Sequence, residues 1–128
     1  VLFSVKDGDK KRAVELASRL HQLGFKIVAT RGTCMEFIDN SIPSEFALKM
    51  TEGRPNIVDL TIDGKTDLII NTTVGKRSKM DSFAIRRTAL EKQVPYATTI
   101  RAAGAMVTAI ESLIQNKVTY KPIQKYYK

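Results

Sequence analysis

Hydroxyl and ammonium groups that follow apolar runs are the part of this sequence best equipped for chemistry. They are Thr30-Arg31-Gly32-Thr33, then Lys49, then Asn71-Thr72-Thr73-Val74-Gly75-Lys76-Arg77. Such groups suit a phosphate monoester, whose oxygens accept several hydrogen bonds and which carries close to two negative charges. Lys10, near the start of a helix-like segment, is able to reach the same point. A lone threonine after a strand is ordinarily a turn or cap residue. Clusters after three separate strands point instead to one anion site, because in an open α/β sheet the loops beyond the strands face a common crevice. Asp81 stands beside the last of these loops, where capping a helix and accepting bonds from a ribose or base edge fit equally well.

The same inspection yields no catalytic residue and no metal site. His21 falls in a helical pattern opposite the apolar stripe, which makes it a solvated side chain. Cys34 has no histidine partner in sequence and reads as a buried or half-buried thiol. As the single cysteine it excludes an internal disulfide and a site built on paired thiolates. Asp39, Asp59, Asp63 and Asp67 fall at helix ends, turns or exposed positions where capping explains them. Arg86 and Arg87 read as a solvated face. Neither a GxGxxG turn nor a Walker-type loop is present, so dinucleotide and P-loop chemistry find no support.

The elements that must position the anion site alternate between strand and helix, the pattern of a doubly wound α/β fold. Strands are expected at Leu2 to Val5, Lys26 to Thr30, Phe46 to Leu48, Leu68 to Asn71 and Val94 to Thr98. The expectation is a five-stranded, mainly parallel sheet with helices on both faces. Asp7 or Asp9 caps a first helix carrying Ala13, Leu16, Ala17, Leu20 and Leu23 on one face, and Gly24 ends it. Gly32 turns the chain into a short helix from Thr33 to Asp39. Gly53-Arg54-Pro55 is a turn before a short helix with Ile57, Val58, Leu60 and Ile62, ending at Asp63-Gly64. A glycine-containing loop from Thr72 to Met80 leads to a helix over Asp81 to Lys92. The last helix spans Ala102 to Ile114, where Gly104 permits close packing on the sheet. The basic, tyrosine-rich tail from Lys117 to Lys128 receives no firm assignment.

Composition bounds the rest. A chain of 128 residues, 43% apolar and 27% charged, suits one globular domain. No apolar run approaches the roughly 20 residues of a membrane span, and the lone cysteine suits a reducing cytoplasm. A β-like run begins at Val1 with no leader before it, which is expected of a piece of a longer chain. The net charge of +8 invites comparison with nucleic-acid binders. Its basic residues are not interleaved with aromatic ones as stacking on single strands requires, so no nucleic-acid partner is expected.

Five segments in order, Ser4-Val5 with Gly8-Asp9-Lys10, Ala29-Thr30-Arg31-Gly32-Thr33, Glu52-Gly53-Arg54-Pro55, Ile70-Asn71-Thr72-Thr73 and Ile85-Arg86-Arg87, resemble the C-terminal domain of carbamoyl-phosphate synthase large chains. The resemblance runs over about residues 1 to 115 and implies the methylglyoxal-synthase-like fold. It implies a regulatory domain that binds UMP as inhibitor or IMP as activator, without catalytic activity of its own. The parent would be a glutamine-hydrolysing, ATP-dependent ligase making carbamoyl phosphate for pyrimidine and arginine biosynthesis. ATP and Mg2+ would act in its other domains, and no cofactor in this one. By the same resemblance Lys10, Thr30, Thr33 and Lys49 match phosphate-binding positions. Asn71, Thr72 and Thr73 match the nucleoside side, and Ile57, Asp81 and Ile85 flank sugar and base. Implied partners are the neighbouring synthetase domains, a glutaminase small chain and further copies of the large chain.

Two alternatives belong to other classes. Methylglyoxal synthase shares the fold and acts on a triose phosphate, but its pattern supplies a catalytic aspartate where this chain reads Glu52-Gly53-Arg54-Pro55-Asn56-Ile57. Without that base the enolisation loses its main route. A plain oligomerisation domain is the other alternative. A second effector site, for ornithine, is associated in some relatives with a Tyr-Asp-Thr stretch. Here it reads Tyr96-Ala97-Thr98, and loss of the carboxylate implies weak or absent control by that cation.

Overall fold

A computed structural model describes residues 1–49, 52–64, 66–72 and 75–126, with side chains described outside 75–81 and 116–126. In chain order the elements are β1 (Leu2–Ser4), a 3-10 turn (Asp7–Asp9), α1 (Lys10–Gln22), β2 (Val28–Thr30), α2 (Arg31–Asp39), β3 (Glu45–Ala47), α3 (Ile57–Ile62), β4 (Ile69–Asn71), α4 (Gly75–Glu91), β5 (Tyr96–Ala97) and α5 (Ile100–Tyr126). The five strands form one sheet in the order β3-β2-β1-β4-β5, and every pairing is parallel.

Because the chain steps from β1 out to β3 and then returns to the other side of β1, crossovers of one hand must place their helices on opposite faces. Residues of α1, α2 and α5 share one core with Phe3, Ala29 and Ile70. Residues of α3 and α4 share a second with Leu2 and Ile69. Alternation along each strand feeds both cores, which is why Leu68, Ile69 and Ile70 form a continuous apolar run. Helix α1 buries Ala13, Leu16, Ala17 and Leu20, the spacing of one helical face, while Leu23 is half-buried.

Gly24, at φ +95, closes α1: its N–H reaches His21 O, and Phe25 N–H reaches back to Leu20 O. The same pair of bonds ends α2 at Ser41 and α4 at Gln93, two non-glycine residues at positive φ.

The structure corrects several sequence expectations. Helix α4 begins at Gly75, so Asp81 lies inside it and cannot be its N-cap. From Lys76 to Lys92 there is no proline or glycine to resist a helix. Gly32 lies in the first turn of α2 and does not precede it. Asp9 occupies the N-cap position of α1 without a side-chain capping bond, its carboxylate lying 3.9 Å from Lys6 Nζ. Helix α5 continues past Ile114 to Tyr126, through a stretch with no glycine or proline before Pro122. Gly104 is not packed on the sheet, since a Cβ there would meet nothing within 4 Å. Thr73, expected in the anion site, lies outside the described residues.

Candidate functional site

The reversal of strand order falls between β1 and β4. At such a point the chain leaves neighbouring strands toward opposite faces, and a crevice opens beyond their carboxyl ends. Ser4, Lys6, Asn71 and Thr72 stand at these two ends, and Thr30 stands at the end of β2 beside them.

Hydrogen bonds tie the segments together. Thr72 N–H donates to Ser4 O at 3.0 Å, and Lys6 N–H donates to Thr72 Oγ1 at 3.0 Å. Thr33 Oγ1 accepts from Val5 N–H at 3.3 Å, linking α2 to the end of β1. Thr30 Oγ1 lies 3.4 Å from Ser4 Oγ. Of the expected site residues Thr30, Thr33 and Thr72 are thus brought together, with Ser4 beside them, and the three threonines are buried.

The charged part of the site is Lys10. Its ammonium lies over the first turn of α2, so close to Gly32 that a Cβ there would stand 2.8 Å from Nζ. Thr30 holds the N-cap position of α2 in extended geometry, without a side-chain capping bond to the helix. An ammonium beside the positive end of a helix dipole is unfavourable unless an anion shares the space. In this structure Asp7 provides one, with Oδ1 2.6 Å from Lys10 Nζ. The hydrogen bond from Lys10, and its charge, hold the Asp7 carboxyl below the usual carboxylate range.

Lys49 follows β3, with an exposed side chain. Its N–H donates to Glu52 Oε1 at 2.8 Å, and Glu52 Oε2 lies 3.6 Å from Arg31 Nε. The Arg31 guanidinium in turn lies 5.1 Å from the Phe46 ring centre. Glu52 thus links the segment after β3 to the start of α2.

On the α3/α4 side, Asn71 is buried and donates from Nδ2 to Ser82 Oγ at 3.0 Å and to Tyr96 Oη at 2.6 Å. Burial pushes the Tyr96 phenol up despite that bond, which acts in the opposite direction. Ile57 and Ile85 are both buried in the second core with Ile69. Asn56 caps α3, accepting from Val58 and Asp59 N–H while the Asp59 carboxylate accepts from Asn56 N–H. The Asp81 side chain lies outside the described residues.

Sequence reasoning placed none of Ser4, Asp7, Glu52 and Tyr96 in the anion site or on its nucleoside side. Ser4 and Glu52 lie within segments that the resemblance used, but Asp7 read only as a cap. The Asn71–Tyr96 bond joins strands 25 residues apart in sequence. No local pattern announces such a pair.

His21 is exposed and Cys34 is buried, with its thiol 3.6 Å from Ser44 O. Among the described residues no cluster of His, Cys, Asp or Glu is placed to hold a metal ion. Likewise no helix among them is long and apolar enough to cross a membrane.

Comparison with known proteins shows the family of the chain. A family model described as MGS-like domain matches residues 12–98. The carbamoyl phosphate synthase large chain of Myxococcus xanthus (strain DK1622) is 48% identical over 126 residues, 98% of this chain and 12% of that protein. The C-terminal section of the large chain from Methanopyrus kandleri is 46% identical over 128 residues, 99% of this chain and 24% of that protein. The corresponding section from Methanocaldococcus jannaschii is 47% identical over 114 residues, 88% and 18% respectively. The chain thus spans less than a quarter of the length of these relatives.

Proposed function

This chain belongs to the MGS-like domain family, and on that premise we propose that it is a nucleotide-sensing regulatory domain of a carbamoyl-phosphate synthase large chain. Its effector is UMP or IMP. The phosphate lies over the start of α2, held by Lys10, Thr30, Thr33 and Lys49. The nucleoside extends along Asn71, Thr72 and Thr73, with Ile57, Asp81 and Ile85 near sugar and base. The domain itself carries no catalysis. Its occupancy controls carbamoyl phosphate synthesis by ATP-dependent domains elsewhere in the longer protein, through contacts with the neighbouring synthetase domains.

The observation that carries this reading is the Lys10 ammonium lying against Gly32 at the start of α2. Two positive ends face one space at a topological switch point, an arrangement that favours a dianion over a neutral ligand. Isothermal titration of the chain with UMP and IMP tests it. Micromolar to sub-millimolar binding of either, weakened at least tenfold by Lys49→Ala, is the expected result. Absence of binding of both at millimolar concentration sinks it.

A further inference from the structure

Asp7 sits on the group that a bound phosphate would need. Its carboxylate lies 2.6 Å from Lys10 Nζ, yet the two partners differ in freedom: the Asp7 side chain is 95% exposed and that of Lys10 only 19%. Lys10 is confined against Gly32, where a Cβ would stand 2.8 Å from its nitrogen. Asp7 can rotate into water with little loss, because an exposed carboxylate is solvated as well by water as by one ammonium.

The backbone around the pair is fixed. Asp9 N–H donates to Lys6 O at 3.0 Å, the Lys10 N–H bonds Asp7 O, and Lys6 N–H is held by Thr72 Oγ1 at the end of β4. Only the Asp7 side chain has to move to clear the ammonium.

We propose that Asp7 is a tethered competitor for the anion site, a carboxylate that neutralises Lys10 beside the start of α2 when the crevice is empty and is displaced when a phosphate binds. It sets the affinity of the site. A strong intrinsic phosphate site is thereby weakened by an intramolecular anion, and the displaced carboxylate remains close enough to repel the incoming dianion. This rests on the nucleotide-binding reading above and adds the residue that tunes it. An exposed pair three residues apart at a helix start is often only a weak surface contact. If Asp7–Lys10 were no more than that, neutralising Asp7 would leave binding unchanged.

The test is isothermal titration of UMP and inorganic phosphate into the wild type, Asp7→Asn, Lys10→Ala and the double variant. Glu45→Gln serves as a control, because Glu45 opens β3 at the opposite end of the sheet and pairs with Lys26 at 3.0 Å. Asp7→Asn should bind both probes about three- to tenfold more tightly, the range of one weak ion pair plus one removed repulsion. On the Lys10→Ala background the same change should gain about twofold or less. Glu45→Gln should change neither.

Wild-type binding with equal or weaker binding by Asp7→Asn overturns the inference and leaves the nucleotide reading standing. An equal gain in Glu45→Gln also overturns it, because the effect would then be net charge alone. Failure of both the wild type and Asp7→Asn to bind either probe overturns this inference, and failure of IMP to bind as well removes the nucleotide reading with it.

Discussion

The Lys10 ammonium occupies the space that a side chain at residue 32 would fill, with Nζ 2.8 Å from where a Cβ on Gly32 would stand. Glycine is required there by the lysine and not by the backbone, because residue 32 is helical, a conformation open to any residue. Gly32→Ala should therefore leave stability unchanged or raise it by up to about 1 kcal/mol, since alanine loses less backbone freedom in a helix. The flexible end of Lys10 yields, and UMP affinity should fall about three- to tenfold through loss of one well-placed charged donor. Thermal melts and isothermal titration on the same variant check both halves. A fall in stability with affinity intact would mean that Gly32 serves the fold.

Asp59 carries a different consequence, for pH. Arg54, hydrogen-bonded to it, and the Asn56 N–H hold its carboxyl below the ordinary range. A carboxylate depressed in the folded state binds its proton more readily when unfolded, so its contribution is complete above about pH 4, the ordinary value. That contribution is lost as pH falls through the lower folded value. Asp59→Asn should flatten the acid limb of stability, with urea midpoints for variant and wild type converging as pH falls below about 4. Curves that stay parallel over that window would show that the capping box at α3 does not depend on charge.

Gly104 tests a point at which sequence reasoning failed. A glycine inside a helix suggests close packing, but a Cβ at 104 meets nothing within 4 Å, and the residue lines an open groove with Leu16, Arg101 and Thr108. Gly104→Ala should therefore stabilise the fold by about 0.5 to 1 kcal/mol. The expected rise in Tm is about 2 to 5 °C. A drop in Tm would show that the added methyl is not accommodated and that α5 needs the glycine for its packing.

What could be read without coordinates follows a physical divide. The strands and helix α1 announce themselves because a parallel sheet buries both faces and α1 buries one stripe, so Leu68 to Ile70 and Ala13 to Leu20 carry period and composition together. The proximity of Thr30, Thr33 and Thr72 follows from topology, since strand ends on one edge of a parallel sheet meet wherever the order reverses; Ser4, which joins them, carries no such mark in sequence. The start of α4 at Gly75 is not legible in sequence because glycine ordinarily marks a turn or loop and not a helix start. Gly32 suggests a turn because glycine's usual meaning is backbone freedom, whereas here it makes room for a side chain from another helix. The Asp7–Lys10 and Asn71–Tyr96 contacts depend on rotamers chosen in three dimensions, and sequence spacing carries no record of them.

Asn71 and Tyr96 separate the two halves of the site. The buried Asn71 amide donates to Tyr96 Oη at 2.6 Å and to Ser82 Oγ at 3.0 Å, so β5 and α4 together fix its orientation. Burial raises the Tyr96 phenol, which keeps it protonated below pH 10 and makes the bond independent of pH across the physiological range. Tyr96→Phe removes the shorter of these two bonds and leaves the threonines, Lys10 and the start of α2 untouched. If Asn71 faces the nucleoside, UMP affinity should fall about two- to tenfold, the worth of one positioned neutral hydrogen bond, while inorganic phosphate binds as before. Tyr96→Phe is also expected to cost about 1 kcal/mol of stability, because the Asn71 donor loses a partner in a half-buried position. A parallel loss of phosphate binding would mean that Tyr96 supports the whole crevice. Unchanged binding of both ligands would place the nucleoside away from Asn71 and restrict this bond to holding β4, β5 and α4 together.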